Sequence, residues 1–321
     1  MLTLVIALLL GLVVLIFSAD KFVLGAANVA RHYKMSPLLI GMLIIGFGTS
    51  APEILISFMS ALDGKPALAL GNAYGSNIAN IALILGVTAL ISPIAVHSSI
   101  VRKEIPILLG ITALSIALII DFKLSRVDGI ILLAAFIVLM IWTVKTSKSS
   151  PQDELGQEVN QDLGDSPLPL GKALLFLLGG LIFLLISSRM MVYGAVGIAQ
   201  IWGLDELVIG LTVVAIGTSL PELASSVTAA LKGEPDLALG NVLGSNLFNT
   251  LAVVGISASI AEIDISTVVL YRDVSVMVGL SLALFVFAFG FRGQGRINRI
   301  EGTLFLSCFV AYTAYLVMVS V

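Results

Sequence analysis

The sequence is poor in charge. Only 12% of its 321 residues are Asp, Glu, Lys or Arg, while 58% are hydrophobic, and the mean hydropathy is +1.10. A water-soluble protein of this length needs far more charge to cover its surface. That shortage excludes an aqueous globular fold and points to an all-α integral membrane protein that crosses the bilayer many times. The net charge of −3 gives no bulk attraction to nucleic acid, so none is expected as a partner; the bilayer itself is. Cysteine is nearly absent. Cys308 stands alone in an apolar stretch, which excludes a disulfide framework and a cysteine metal site and leaves it as lipid-facing or packed filler. Histidine is nearly absent too: His32 and His97 sit beside basic residues in loops and are expected to be solvated. Neither a His-Glu-x-x-His helix nor a nucleophile elbow occurs, so no enzyme is expected. The opening MLTLVIALLLGLVVLIF has no basic leader and no small-residue cleavage site, and is expected as a first membrane helix.

What the chain does have is long apolar runs. They fall at about 2–30, 36–62, 66–92, 105–121, 127–145, 171–200, 205–231, 236–260, 273–291 and 302–320. Each can cross, or nearly cross, a hydrocarbon layer ~30 Å thick at ~1.5 Å per residue. The two overlong runs, 2–30 and 171–200, suggest tilt. Residues 146–170 are acidic and rich in Pro, Gly and Ser; they predict a cytoplasmic linker between units 1–145 and 171–321. The acidic stretch 153–165 lacks the spacing of an EF-hand. Of 17 basic residues, 11 fall on one side of this topology and only Lys65, Lys123, Arg126 and Arg272 on the other. That bias places both termini outside the cytoplasm, in a multi-pass cell-membrane protein (the inner membrane if the source is Gram-negative).

The chain also repeats itself. GTSAPE at 48–53 returns as GTSLPE at 217–222, an offset of 169 residues. The same offset carries ALALGNAYGSNIAN (67–80) onto LALGNVLGSNLFN (237–249), matching Gly71 with Gly240, Asn72 with Asn241, Ser76 with Ser245 and Asn80 with Asn249. Gly41 and Gly64 likewise match Gly210 and Gly233. Two motif pairs in one register indicate an internal duplication. Five spans per copy make the second copy enter the membrane upside down. Ten helices in two inverted-topology repeats are the architecture of secondary transporters, which bind their substrate near the midplane at the repeat interface.

Each motif carries a carboxylate in a place that disfavours one. Inserting such a group costs roughly 2.5–3.5 kcal/mol, and here the cost falls at equivalent positions, Glu53 and Glu222. Pro52 has no N–H, so the carbonyl of Gly48 loses its helical partner, and Gly46 and Gly48 loosen the preceding turn. Thr49 and Ser50 lie four and three residues before Glu53, on its face. Gly217, Thr218, Ser219 and Pro221 build the same arrangement around Glu222. Ser76 and Asn80 share a helix face one span later, as do Ser245 and Asn249. The donor set is all oxygen, without His or Cys, which argues against zinc, copper and iron and suits hard cations. Two carboxylates match one Ca²⁺ or two or more Na⁺; Mg²⁺ fits less well because it keeps its water and a tight octahedron.

These paired motifs closely resemble the alpha-repeats of the calcium/cation antiporter superfamily, and within it the compact prokaryotic sodium/calcium exchangers, over essentially the whole chain. The resemblance implies alternating access, with spans one and six sliding against the other eight. It implies that Ca²⁺ and Na⁺ are the cargo, that no cofactor is needed, and that both ions share Glu53 and Glu222. It assigns further ligands to Thr49, Ser50, Ser76 and Asn80, and to Ala215 through its carbonyl, Thr218, Ser219, Ser245 and Asn249. Proton-coupled relatives have Asn where this chain has Thr49 and Thr218, and potassium-dependent ones have Asp where it has Asn249. Sodium coupling without potassium is therefore expected, with a Ca²⁺/H⁺ antiporter and a passive channel as the alternatives. The site lies within one chain, so a monomer should suffice. Asp20 and Arg189 occupy equivalent positions in spans one and six; a part in the ion vestibule or a gate is one reading, but with Lys21 they are expected as water-exposed or locally paired charges near helix ends.

Overall fold

The computed structural model describes residues 1–33, 35, 37–64, 66–97, 100–147, 168–201, 215–289 and 295–320. Most of the linker and residues 205–214, with Gly210 among them, therefore lie outside the described residues. The described residues are helical almost throughout, as apolar backbone in lipid must be to satisfy its own hydrogen bonds. The helices are α1 (Leu2–His32), α2 (Gly41–Thr49), α3 (Ala51–Leu62), α4 (Pro66–Ile91), α5 (Ile105–Ile119), α6 (Arg126–Ser147), α7 (Leu170–Ile201), α8 (Ala215–Thr218), α9 (Leu220–Leu231), α10 (Pro235–Ile260), α11 (Val269–Ala288) and α12 (Arg299–Ser320). Among the described residues, seven are long and apolar enough to cross a membrane, or eight if the bent pair α2–α3 is one span.

The duplication is visible in the fold. α3 ends at Asp63-Gly64 and α9 at Lys232-Gly233, with Gly64 at φ +72° and Gly233 at φ +75°, a backbone that favours glycine. π-helical turns recur at Asn80–Leu85 and Phe248–Val253, and at Ile100–Glu104 and Val269–Val274. α1 and α7, the first helices of the two copies, lie side by side and antiparallel. A Cβ on Gly25 would fall 2.3 Å from the backbone of Leu177, one on Gly180 2.6 Å from Phe22, and one on Gly194 2.6 Å from Leu4. Glycine at these crossings lets the two backbones touch.

The copies are also interlocked. Strand β1 (Ile94–Val96) pairs antiparallel with β4 (Gly295–Ile297), and β2 (Lys123–Leu124) with β3 (Ile263–Asp264). Each ribbon joins one loop from each copy. The helix ends beneath them follow the same exchange: Gly86 of α4 meets Gly302 of α12, and Gly255 of α10 meets Gly129 of α6. One buried cluster joins α4, α5 and α6 to α10, α11 and α12; a second gathers α1 and α7 against α9 and the start of α10.

Two expectations need correction. The helical stretches before α5 and at α11 begin at Ile100 and Val269, earlier than the apolar runs, so Glu104 is buried on a helix as well. His97 is not simply solvated: its Nδ1 lies 3.0 Å from Oδ1 of Asp236. Asp20 pairs locally with Lys21 at 3.3 Å, as expected, and also with distant Lys232 at 2.7 Å. Cys308 is exposed, in keeping with a lipid-facing position.

Candidate functional site

The motif helices are broken rather than merely loosened. Gly41–Ile45 winds as a π-helix, α2 ends at Thr49, and α3 leaves at 51° to it. Ser50 sits at the break with φ −79° and ψ 2°; its counterpart Ser219 has φ −87° and ψ 3°. Pro52 and Pro221 stand in the first turn of the new helices, where a missing N–H costs nothing. Glu53 and Glu222 thus occupy the first turns of α3 and α9, where a carboxylate suits the positive end of the helix dipole.

The structure brings nearly all the expected residues into one buried zone. Thr49, Ser50, Glu53, Ser76, Asn80, Ser219, Glu222, Ser245 and Asn249 are all buried, Glu53 being 1% and Glu222 2% exposed. Thr218 is partly buried, and its side chain is beside the Glu53 carboxyl; Thr49 and Ser50 are beside that of Glu222. Hydroxyls of each copy therefore reach the other copy's glutamate: Thr49 and Ser50 serve Glu222, and Thr218 serves Glu53. The Ser50 hydroxyl reaches Oε1 of Glu222 at 3.4 Å, and the Ser245 hydroxyl reaches the carbonyl of Gly46 at 3.5 Å. Ala215 opens the short helix α8, one turn before Ser219.

The oxygens left over are informative. Both carboxylate oxygens of Glu53, Oε2 of Glu222, Oδ1 of Asn80, Oδ1 of Asn249 and the Ser219 hydroxyl are buried and accept no hydrogen bond of good geometry. Buried acceptors are ordinarily paired, and leaving one bare costs about 1–3 kcal/mol, more for a charge. A cluster of bare oxygens around two carboxylates is what a desolvated hard cation would complete. Among the described residues no group of three or more His, Cys, Asp and Glu gathers as a metal site, so this cluster offers two carboxylates and neutral oxygens only.

Sequence reading missed the asparagines that hold this cluster in place. Nδ2 of Asn241 donates to the carbonyl of Glu222 at 3.1 Å and to the Ser225 and Ser226 hydroxyls at 3.0 and 2.8 Å. The Thr49 hydroxyl donates to its Oδ1 at 3.2 Å. Asn72 does the same in the first copy, toward the Ser57 hydroxyl at 3.0 Å and the carbonyl of Glu53 at 3.5 Å. Asn80 donates to Oδ1 of Asn246 at 2.9 Å, which turns its own free Oδ1 away from that contact. Their identity at the 169-residue offset was the available signal.

Comparison with known proteins agrees with this geometry. The family model described as sodium/calcium exchanger protein matches residues 3–145 and 172–318. The chain is 45% identical to a candidate antiporter, CaxA of Alkalimonas amylolytica, over 97% of this chain and 98% of that one. It is 36% identical to the inner membrane protein YrbG of Escherichia coli K12, over 98% and 96%. It superposes on a sodium-calcium exchanger, NCX_Mj, soaked with Na⁺ and Sr²⁺, with a TM-score of 0.84 and 34% identity, covering 98% of each chain. The broken glutamate-bearing helices, the interlocked copies and the match along nearly the whole length lead to one conclusion: this chain belongs to the sodium/calcium exchanger family of membrane cation antiporters.

Proposed function

We infer that this protein exchanges Ca²⁺ for Na⁺ by alternating access, at a site between two inverted five-helix repeats, 1–145 and 171–321. The observation that carries this reading is the set of buried, unpartnered acceptor oxygens around Glu53 and Glu222. In low dielectric two carboxylates repel each other strongly, and one divalent or several monovalent cations remove that repulsion. The neutral donors are the hydroxyls of Thr49, Thr218, Ser50, Ser219, Ser76 and Ser245, the amide oxygens of Asn80 and Asn249, and the carbonyl of Ala215. Because both ions need the same carboxylates, they displace one another, which is the basis of exchange.

The antiparallel contact of α1 with α7 supports an inverted repeat, since equivalent helices then run in opposite directions. The ribbons support the ten-span topology: with both termini outside, β1 and β4 fall on the cytoplasmic face and β2 and β3 on the other. The cargo site lies within one chain, so the monomer is the working unit.

Uptake of radioactive calcium into sealed vesicles tests the reading, with Na⁺, K⁺ or pH gradients imposed separately. An outward Na⁺ gradient is expected to drive uptake without K⁺. If a pH gradient alone drove uptake as well as Na⁺ does, the protein would be a proton-coupled exchanger instead. Flux that needed no counter-ion would make it a channel.

A further inference from the structure

The two copies carry their charges in mirror fashion at one place. Asp20 on α1 and Arg189 on α7 are 169 residues apart, and so are Asp63 and Lys232, which follow α3 and α9 directly. Asp63 and Lys232 share a backbone, with φ −77° and ψ 6° against φ −85° and ψ 6°, and each precedes a glycine of positive φ. The duplication therefore turns the pair Asp20–Lys232 into Arg189–Asp63, with the signs reversed. Only one of these pairs is made. Lys232 Nζ lies 2.7 Å from Oδ1 of Asp20, whereas Arg189 and Asp63 are both exposed and form no ion pair among the described residues.

The asymmetry does not extend to every duplicated pair. Another duplicated pair, Lys103–Glu104 and Arg272–Asp273, is closed in both copies, at 3.5 and 2.7 Å. Those pairs lie within the bundle formed by α4–α6 and α10–α12. Of the unequal pairs, the one that is made joins α1 to the glutamate-bearing helix α9. Burial agrees with this: α1 packs along α9, but α7 makes no comparable contact with α3. Leu55, Ile56, Phe58 and Met59 of α3 are exposed, whereas their equivalents Ala224, Ser225, Val227 and Thr228 are covered or half-covered.

We propose that Asp20–Lys232 and Asp63–Arg189 are alternating latches of the transport cycle, one fastening α1 to α9 and the other α7 to α3, and that only one is closed at a time. The idea rests on the alternating-access reading. In the present structure the latch beside α9 is closed and the side beside α3 is uncovered. Reorientation opens Asp20–Lys232 and brings Arg189 to Asp63. The four residues position the moving helices; they do not touch the cargo. Half-exposed pairs of this kind are weak, which suits a latch that must open in every cycle.

Two measurements test it, in a Cys308→Ser background. The first places cysteines at 63 and 189, or at 20 and 232, and applies a short bifunctional thiol reagent during turnover. Both pairs are expected to cross-link and stop exchange. The 63–189 link should also block labelling of Phe58→Cys by an impermeant reagent added from outside, and the 20–232 link should leave that labelling intact. The second is charge reversal. Asp63→Arg alone should slow exchange by roughly two- to fivefold, and adding Arg189→Asp should restore it. Failure of 63–189 to cross-link, or full exchange after it does, overturns the latch, and so does a double reversal no faster than the single one. If the unaltered chain moves no Ca²⁺, the exchanger reading falls instead, while the cross-link pattern still judges the latch by conformation alone.

Discussion

The two copies of one motif, at 48–53 and 217–222, live in different surroundings. The helix after Glu222 is rich in alanine and serine and is overlaid by α1, and the side chain of Asn241 is bound three times by its Nδ2 and once by Thr49. The helix after Glu53 carries Leu55, Ile56, Phe58 and Met59 on an uncovered face, and Asn72 makes two bonds, one of them long. A nearly identical motif, followed by helices of different composition, sits in a tightly held half and a loosely held half. A duplicated chain need not be a symmetric molecule.

The most severe way to break the comparison is to remove a carboxylate. Glu53→Gln and Glu222→Gln should each lower calcium exchange by on the order of a hundredfold or more, because an uncompensated change in a buried charge set costs about 3–5 kcal/mol. Vesicle uptake measures it, and equal loss in both variants would show that the cargo site is shared although the surroundings are not. Near-normal uptake in either well-expressed variant would remove that residue from the site.

The asparagines should separate the halves. Asn241→Ala forfeits several buried hydrogen bonds and should lower stability by roughly 2–3 kcal/mol, against about 1 kcal/mol for Asn72→Ala. Thermal unfolding of the two purified variants gives the order directly, and equal losses would contradict the asymmetry.

A smaller contrast lies at the equivalent positions Lys65 and Glu234. Burial is the main cause raising the Glu234 carboxyl to about 7, opposed by Arg31 and reinforced by Asp236. A raised carboxylate makes the folded state hold a proton that the unfolded state releases, so stability falls as pH rises from about 4.5 to 7. Glu234→Gln should therefore unfold at a higher temperature than the unaltered protein at pH 8, and with little difference at pH 4. A gain at pH 4 as large as that at pH 8 would exclude this cause.

Much of this was legible in the sequence. Length, apolar runs and the 169-residue register predict a duplicated membrane protein, and the motif chemistry names the buried oxygens that the structure brings together. The break at Ser50 was only half legible: Pro52 signals a disturbed helix, but the 51° bend depends on what the two arms pack against. The π-turns left no composition signal, since they are a choice of hydrogen-bond register rather than of residue type. The partner of His97 was invisible because Asp236 lies 139 residues away, in the first turn of α10. The charge reversal between Asp20 and Arg189 could be seen; its meaning needed Lys232, which only the fold brings near.

The two small ribbons set a timetable for biogenesis. Ile94 has its partner at Ile297, and the end of α4 rests on α12, so the first half cannot be completed by its own residues. At ~5–20 residues per second, the ribosome needs roughly 10–40 s to supply that partner. Meanwhile the loop around β1 keeps unpaired edge groups, and Glu53 waits without the hydroxyls of the second copy. A nascent chain in that interval is a membrane protein with an open seam, and the ribbon at Gly295–Ile297 is among the last things to close it.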